Sequence, residues 1–408
     1  MGQEILSANM RGLPMEYGDR WRQWRKGQHA CLNAKMSLSY REFQTLESTI
    51  LLRDLLHDND HLAHFRRFAT SIAFCISYGT RIKNANEKIV IDNQEAAMGV
   101  FRSFPDHPLH IQWPFLLWLP KSLQWFRWEQ EKRRIIDGQL YTGCLREVKR
   151  KVAEGVAKPS MSLKLLEESS SSGLSEMEMA YAAAGPFSAG IPTMLSSLEV
   201  FLLAMVLHPE CVRKAQEELD HVVGQLRMPT FEDEPSLPYV HALIKETMRW
   251  RVITPTAVAH ATIAEDVYDE YTILAGTTVY ANVFVISKDP DMFPEPERFR
   301  PERFIETSDP RLLDFELPYG FGRRVCPGRF VANETLFIAI ARTLWAFQIS
   351  PVADSKGKPV LPDPDAFTSG LARRPLPFEC VLRPRNGDIS KIILADAAHA
   401  DVALQEWA

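Results

Sequence analysis

The chain has 408 residues, 46% of them hydrophobic and 24% charged, with a formal net charge of −5 at pH 7. That composition is ordinary for a globular protein, and the absence of a broad basic field excludes nucleic acid as the expected partner. Six cysteines, Cys31, Cys75, Cys144, Cys211, Cys326 and Cys380, are widely spaced with no C-x-x-C pair, which speaks against a disulfide framework or a zinc site and for reduced, cytosol-facing thiols.

The opening "MGQEILSANMRGLPMEYGDRW" has no long apolar run, so neither a signal peptide nor a membrane anchor is expected in it. Residues 16–150 read as several helices. Both "DRWRQWRKGQHACL" and "WFRWEQEKRRIIDGQLYTGCLREVKRKVAEG" place charge at helical spacing. Between them, "DHPLHIQWPFLLWLP" (106–120) is apolar, aromatic and broken by prolines. It reads as a buried connector or as a patch that dips into a membrane surface. Residues 155–175 are rich in Ser, Lys and Glu and read as an exposed loop.

Ser175 and Glu178 form an S-x-x-E capping pattern that opens a long helix reaching about Leu207, and Pro209 marks its end. The uncharged run from Ala180 to Leu198 is long enough to cross a bilayer. Its two prolines and its small polar residues favour a buried helix through the centre of a large domain. Two further helices, "ECVRKAQEELDHVVG" and "YVHALIKETMRWR", precede a β-branched, alternating stretch, "AHATIAEDVYDEYTILAGTTVYANVFVIS", which predicts short strands. "DPDMFPEPERFRPERF" is too proline-dense for regular structure. A helix over about 329–347 and a second short-strand region in "FTSGLARRPLPFECVLRPR" follow. The expected architecture is mainly α with small β-sheets, in one domain.

The segment "YGFGRRVCPG" (319–328) places Cys326 just ahead of that helix. A lone cysteine is usually a small buried hydrophobe. At a helix N-terminus, however, the dipole and the free N–H groups favour the thiolate. Gly320, Gly322 and Gly328 let backbone approach something flat and bulky, and Arg324 is placed to pair with a carboxylate on the same object. Those requirements fit a haem, with the thiolate on iron and the arginine on a propionate.

The decapeptide resembles the haem-binding signature F-x-x-G-x-R-x-C-x-G of the cytochrome P450 family. Gly322, Arg324, Cys326 and Gly328 are in register, and Tyr319 stands where the pattern has Phe. The resemblance implies a haem b (iron protoporphyrin IX) with Cys326 as axial ligand and metal-binding residue. It also implies that Glu246 and Arg249 of "KETMR" join Arg303 of "PERF" in a buried structural triad. Trp21 and Arg25, at i and i+4, would contact a haem propionate, as would His260 of "VAHATI". The long helix resembles the family's oxygen-activation helix, with Ala189, Gly190 and Thr193 matching the A-G-x-D/E-T core. Pro192 replaces the acid. Proline removes a backbone donor and clashes with the carbonyl four back, at Ser188, so a local kink is expected.

The resemblance runs from about Leu13 to Arg385. It implies a P450 fold lacking most of its N-terminal region, where the family carries a membrane anchor, an early helix and most of a sheet. Residues 1–386 would form the haem domain and 387–408 an extension of no assigned role. The implied activity is a monooxygenase that inserts one atom of O2 into a hydrophobic small molecule, with electrons from NADPH through NADPH-cytochrome P450 reductase. Phe187, Ala189, Thr254, Ala257, Val258, Gly370 and Leu371 would line the substrate pocket. The texture is similar to fungal microsomal members, implying secondary metabolism at the cytosolic face of the endoplasmic reticulum. The reductase would meet the basic helix around Arg22, Arg25 and Lys26. Two alternatives stand beside this reading: a haem-thiolate isomerase or dehydratase, motivated by Pro192, and a non-catalytic remnant.

Overall fold

The structure, a computed structural model, describes residues 5–102 and 113–407. Residues 106–112 of the aromatic segment lie outside the described residues. The architecture is mainly helical with small antiparallel sheets, as expected.

Helix α1 (Asp19–Leu32) buries Trp21 and Trp24. Helices α2 (Arg41–His57) and α3 (His61–Tyr78) follow and pack on each other. Asp60 caps α3 by accepting from the Ala63 amide at 3.1 Å, and Gly79 ends it in the left-handed region at φ 68°. A Cβ there would stand 2.8 Å from the Lys158 carbonyl, so both conformation and space demand glycine. Helix α4 (Lys88–Arg102) packs against α5 (Trp128–Ala153).

The central helix α6 spans Glu176–Leu207. Ser175 and Glu178 close a full capping box at its start, as their spacing predicts. From Met194 to Val206 every side chain is buried, the mark of a helix enclosed on all sides. Among the described residues it is the one helix long and apolar enough to cross a membrane, and it lies mostly inside the fold. Residues 155–175 differ from the expected loop. Short helices occupy Met161–Glu167 and Ser169–Ser172, the first burying Met161 and Leu165. That i,i+4 apolar pair outweighs the polar composition.

Helices α7 (Pro209–Val222) and α8 (Pro238–Trp250) lead to the sheets. Strand β1 (His260–Ala261) pairs with β4 (Thr278–Val279), and β2 (Asp266–Tyr268) pairs with β3 (Tyr271–Ile273). Val283–Ile286, expected as strand, is a helical turn capped by Asn282. Helix α9 (Arg329–Ala346) then runs into β5 (Phe347–Ala353), which sits between β6 (Pro359–Val360) and β7 (Cys380–Pro384).

The extension is a helix as well. Helix α10 (Gly387–Ala403) is capped by Asn386 and buries Ile389, Ile393, Ala397 and Ala400 along one stripe, with Leu404 just beyond. That stripe lies on α2 and joins the main core. Arg53 pairs with Asp401 at 2.5 Å, the Arg81 amide donates to the Trp407 carbonyl at 2.7 Å, and the Trp407 ring meets Phe43 at 4.9 Å.

Candidate functional site

The loop before α9 is shaped by two glycines. Gly320 (φ 81°) and Gly322 (φ 56°) occupy left-handed backbone that other residues adopt only at a cost, and a Cβ on either would point into open space. The Cys326 amide donates to the Tyr319 carbonyl at 2.8 Å and the Val325 amide to the Gly322 carbonyl at 3.1 Å. Cys326 is half-buried, one turn ahead of an 18-residue helix. Burial pushes its thiol pKa up, while the Gly328 amide and the guanidiniums of Arg25 and Arg329 work the other way. A Cβ on Gly328 would stand 4.0 Å from the sulfur. The Tyr319 hydroxyl, absent from the family pattern, bonds Asn333 of α9 and reaches Met248 Sδ of α8 at 3.5 Å.

Two cations stand beside this loop. Arg25 Nη2 donates to the Val325 carbonyl at 2.7 Å. Arg324 Nη2 donates to the Met15 carbonyl at 2.7 Å, and its guanidinium lies 4.4 Å from the Trp21 ring centre. Burial lowers the pKa of both, and each feels a neighbouring cation, Arg329 for Arg25 and Arg25 for Arg324. Among the described residues neither has a carboxylate in ion-pair reach. Half-buried like charges without a counter-ion are costly unless something supplies one. A thiol at a helix start, an open glycine-walled loop and two uncompensated guanidiniums fit a flat, dianionic, thiolate-ligated group. His260 lies exposed on β1, opposite Val279.

On α8, Arg249 grips Glu246 through Nε at 2.6 Å and Nη2 at 2.8 Å, and Arg303 Nε donates to Glu246 at 3.2 Å. Glu246 and Arg249 are wholly buried and Arg303 nearly so. The Arg300 amide adds a fourth donor to Glu246 at 2.7 Å, and Arg249 Nη1 reaches the Ser287 carbonyl at 2.9 Å. A charge buried this deeply is tolerated only when so fully bonded.

Inside α6 the ladder is broken by one turn of π-helix, Pro186–Gly190. The kink expected at Pro192 is therefore a widened turn that begins at the other proline, Pro186. Each proline withdraws a backbone donor from the regular i to i−4 ladder, and the Ala182 carbonyl accepts a cap amide instead. Thr193 Oγ1 donates to the Ala189 carbonyl at 3.0 Å and lies 3.2 Å from that of Gly190. Phe187 is fully buried, edge-on to Phe74. Ser77 of α3 and Asn93 of α4 bond its backbone, a contact that no sequence motif announces.

The two expected pocket segments meet. The Arg373 amide donates to the Ile253 carbonyl at 2.8 Å, joining the loop of Thr254, Ala257 and Val258 to that of Gly370 and Leu371, all half-buried. A cavity of about 360 Å3 adjoins the Cys326 loop, lined by Arg25, His29, Lys35, Pro327, Arg329 and Phe330 among others. Arg329 escaped the sequence reading; only its place three residues after Cys326 hints at it.

A family model described as Cytochrome P450 matches residues 4–381. The chain belongs to the cytochrome P450 family. It is 37% identical over 409 aligned residues to cytochrome P450 monooxygenase 58 of Postia placenta, covering 96% of this chain and 77% of that relative. It is 34% identical to cytochrome P450 monooxygenase drtD of Aspergillus calidoustus, covering 98% and 75%. By homology it is a P450 monooxygenase, and the family implies a haem-thiolate cofactor. A solved zebrafish cytochrome P450, determined with abiraterone, superposes with a TM-score of 0.76 at 22% identity, covering 95% of this chain and 87% of that one, which shows the shared fold.

Proposed function

We propose that the chain is a haem-thiolate monooxygenase in which Cys326 holds the iron of haem b and Arg25 and Arg324 pair with its two carboxylates. The observation that carries this reading is the pair of half-buried guanidiniums with no carboxylate partner, flanking a thiol at the start of α9. Cys380 is the poorer ligand. It is buried on β7 with its sulfur 3.7 Å from His61 Nδ1, and burial pushes its thiol up to about 12.

Haem bound here supplies the activation of O2 that carbon–hydrogen oxidation requires. Cys326 provides the thiolate, which the helix dipole and the Gly328 amide stabilise. Trp21 stacks on Arg324 and fixes its direction. Glu246, Arg249 and Arg303 keep the loop from shifting. Thr193 spends its proton on the Ala189 carbonyl, so its oxygen is left as an acceptor that holds a water in place of the absent acid. Thr254, Ala257, Val258 and Leu371 supply an apolar wall for a hydrophobic small molecule, whereas Phe187, expected there too, is fully buried against Phe74 and Tyr78. Electrons arrive from an NADPH-dependent reductase seated on the basic cavity beside Arg25 and Arg329. Trp113, Phe115, Trp118, Trp125 and Trp128, all exposed, suit contact with the cytosolic face of the endoplasmic reticulum membrane.

The test is a carbon monoxide difference spectrum of the reduced, haem-reconstituted protein. A thiolate-type Soret band is expected in the parent and in Cys380→Ala, and none in Cys326→Ala. Its presence in Cys326→Ala would overturn the assignment. Product formed only with NADPH and reductase separates a monooxygenase from an isomerase, which turns over a peroxide substrate without them, and from an inert remnant.

A further inference from the structure

The α6 turn contains a contact that no family motif encodes. Phe187 sits in mid-helix, yet its amide donates to Ser77 Oγ at 3.2 Å and its carbonyl accepts from Asn93 Nδ2 at 3.0 Å. Both partners are buried, Asn93 at 2% exposure, and they come from two different helices. An uninterrupted α-helix would send the Phe187 amide to Ala183 and take the Ile191 amide on its carbonyl. The two side chains instead grip the peptide groups where the helix widens, and the Phe187 ring is wedged against Phe74 and Tyr78 of α3. Ala189, Gly190 and Thr193 follow at once.

We propose that Ser77 and Asn93 are positioning residues that hold the Pro186–Gly190 turn open and so set where the Thr193 hydroxyl stands. This rests on the oxygen-side role given to Thr193 above. The family's usual acid is missing at 192, so the placement of water at this turn falls to backbone carbonyls and to Thr193, and both depend on the width of the turn. Asn93 rides on α4, which Arg133 of α5 braces by donating to the Asp92 carbonyl at 3.1 Å.

Hydrogen–deuterium exchange on the purified chain tests this without cofactor. Ser77→Ala and Asn93→Asp, which keeps the shape of asparagine but loses the donor, are expected to speed exchange in the peptide covering 183–193 by about tenfold. That factor corresponds to about 1.4 kcal/mol, the scale of one lost hydrogen bond. Ser77→Thr, which keeps the hydroxyl, should restore slow exchange. Unchanged exchange in both variants, or acceleration spread evenly over all peptides, overturns the proposal.

In the haem-loaded protein with reductase, Asn93→Asp should release more hydrogen peroxide per NADPH oxidised, by about threefold, a change of less than about 1 kcal/mol. An unchanged ratio also counts against it. A parent with no thiolate Soret band sinks the proposed function and leaves the exchange result standing. A parent with the band and variants without effect sinks this inference alone.

Discussion

The Cys326 loop and the Pro186–Gly190 turn, to which the proposed function gives the cofactor and the oxygen side, are built by different means. The loop's backbone is shaped mainly by its own consecutive residues, two left-handed glycines, a backbone bond from Cys326 to Tyr319 and the helix that starts three residues on, with Arg25 adding a remote bond to the Val325 carbonyl. The turn is fixed from outside, by a serine and an asparagine more than 90 residues away in sequence. Local encoding yields a motif. Remote encoding yields none, so a departure such as Pro192 looks from sequence like damage when the surrounding helices have already accommodated it.

Substitutions can break or sharpen this contrast. The largest effect is expected at Glu246, the centre of the buried ion cluster. Glu246→Ala strands two buried guanidiniums and should cost about 3–5 kcal/mol, read as a fall in the urea midpoint or a loss of soluble protein. Arg324→Gln separates cofactor binding from folding. Removing an uncompensated cation should leave the haem-free chain about as stable, yet weaken haem binding about tenfold, or about 1.4 kcal/mol, measured by haem titration. A cofactor-free chain that unfolds on this change would mean that the arginine serves the fold.

Pro192→Ala asks what opens the turn. It returns a backbone donor, and if Ser77 and Asn93 hold the turn, the exchange profile across 186–190 stays as in the parent while stability rises by about 1 kcal/mol or less. A profile that collapses to uniform helix protection would make the proline the sole cause. Tyr319→Phe restores the family residue and removes the bond to Asn333. It should cost about 0.5–1 kcal/mol and leave the thiolate Soret band in place. A control far from both regions is Asp220, whose pKa the Arg385 guanidinium lowers by hydrogen bonds at 2.8 and 2.6 Å. A depressed carboxyl stabilises the fold above its unfolded pKa of about 4 and loses that contribution as pH falls through the folded value. Asp220→Asn should therefore flatten the decline in stability below about pH 4, with no effect on either region.

What the sequence made legible follows the same division. Capping at Ser175, the long apolar run of α6, the start of α9 and the E-x-x-R pair are short-range patterns, and the structure realises each of them. Residues 155–175 misled because their serines and glutamates masked the Met161–Leu165 pair. Val283–Ile286 reads as strand by its β-branched residues, but the Asn282 cap makes it a helical turn. His260 could be placed only by analogy, and here it stays on an exposed strand. Ser77 and Asn93 are unremarkable in any window of their own helices. Their meaning exists only once α3, α4 and α6 meet.

Helix α10 has a consequence for how the protein is made. It covers α2, yet about 330 residues separate the two in the chain, so α2 leaves the ribosome well before α10 does. At about 5–20 residues per second, the roughly 330 residues between them take on the order of 20–70 s. For that time the face of α2 bearing Phe43 and its neighbours waits without its final partner, open to chaperones or to other nascent chains. Completion of this part of the core is thus tied to synthesis of α10, and a chain cut short inside α9 leaves the buried face of α2 without that cover.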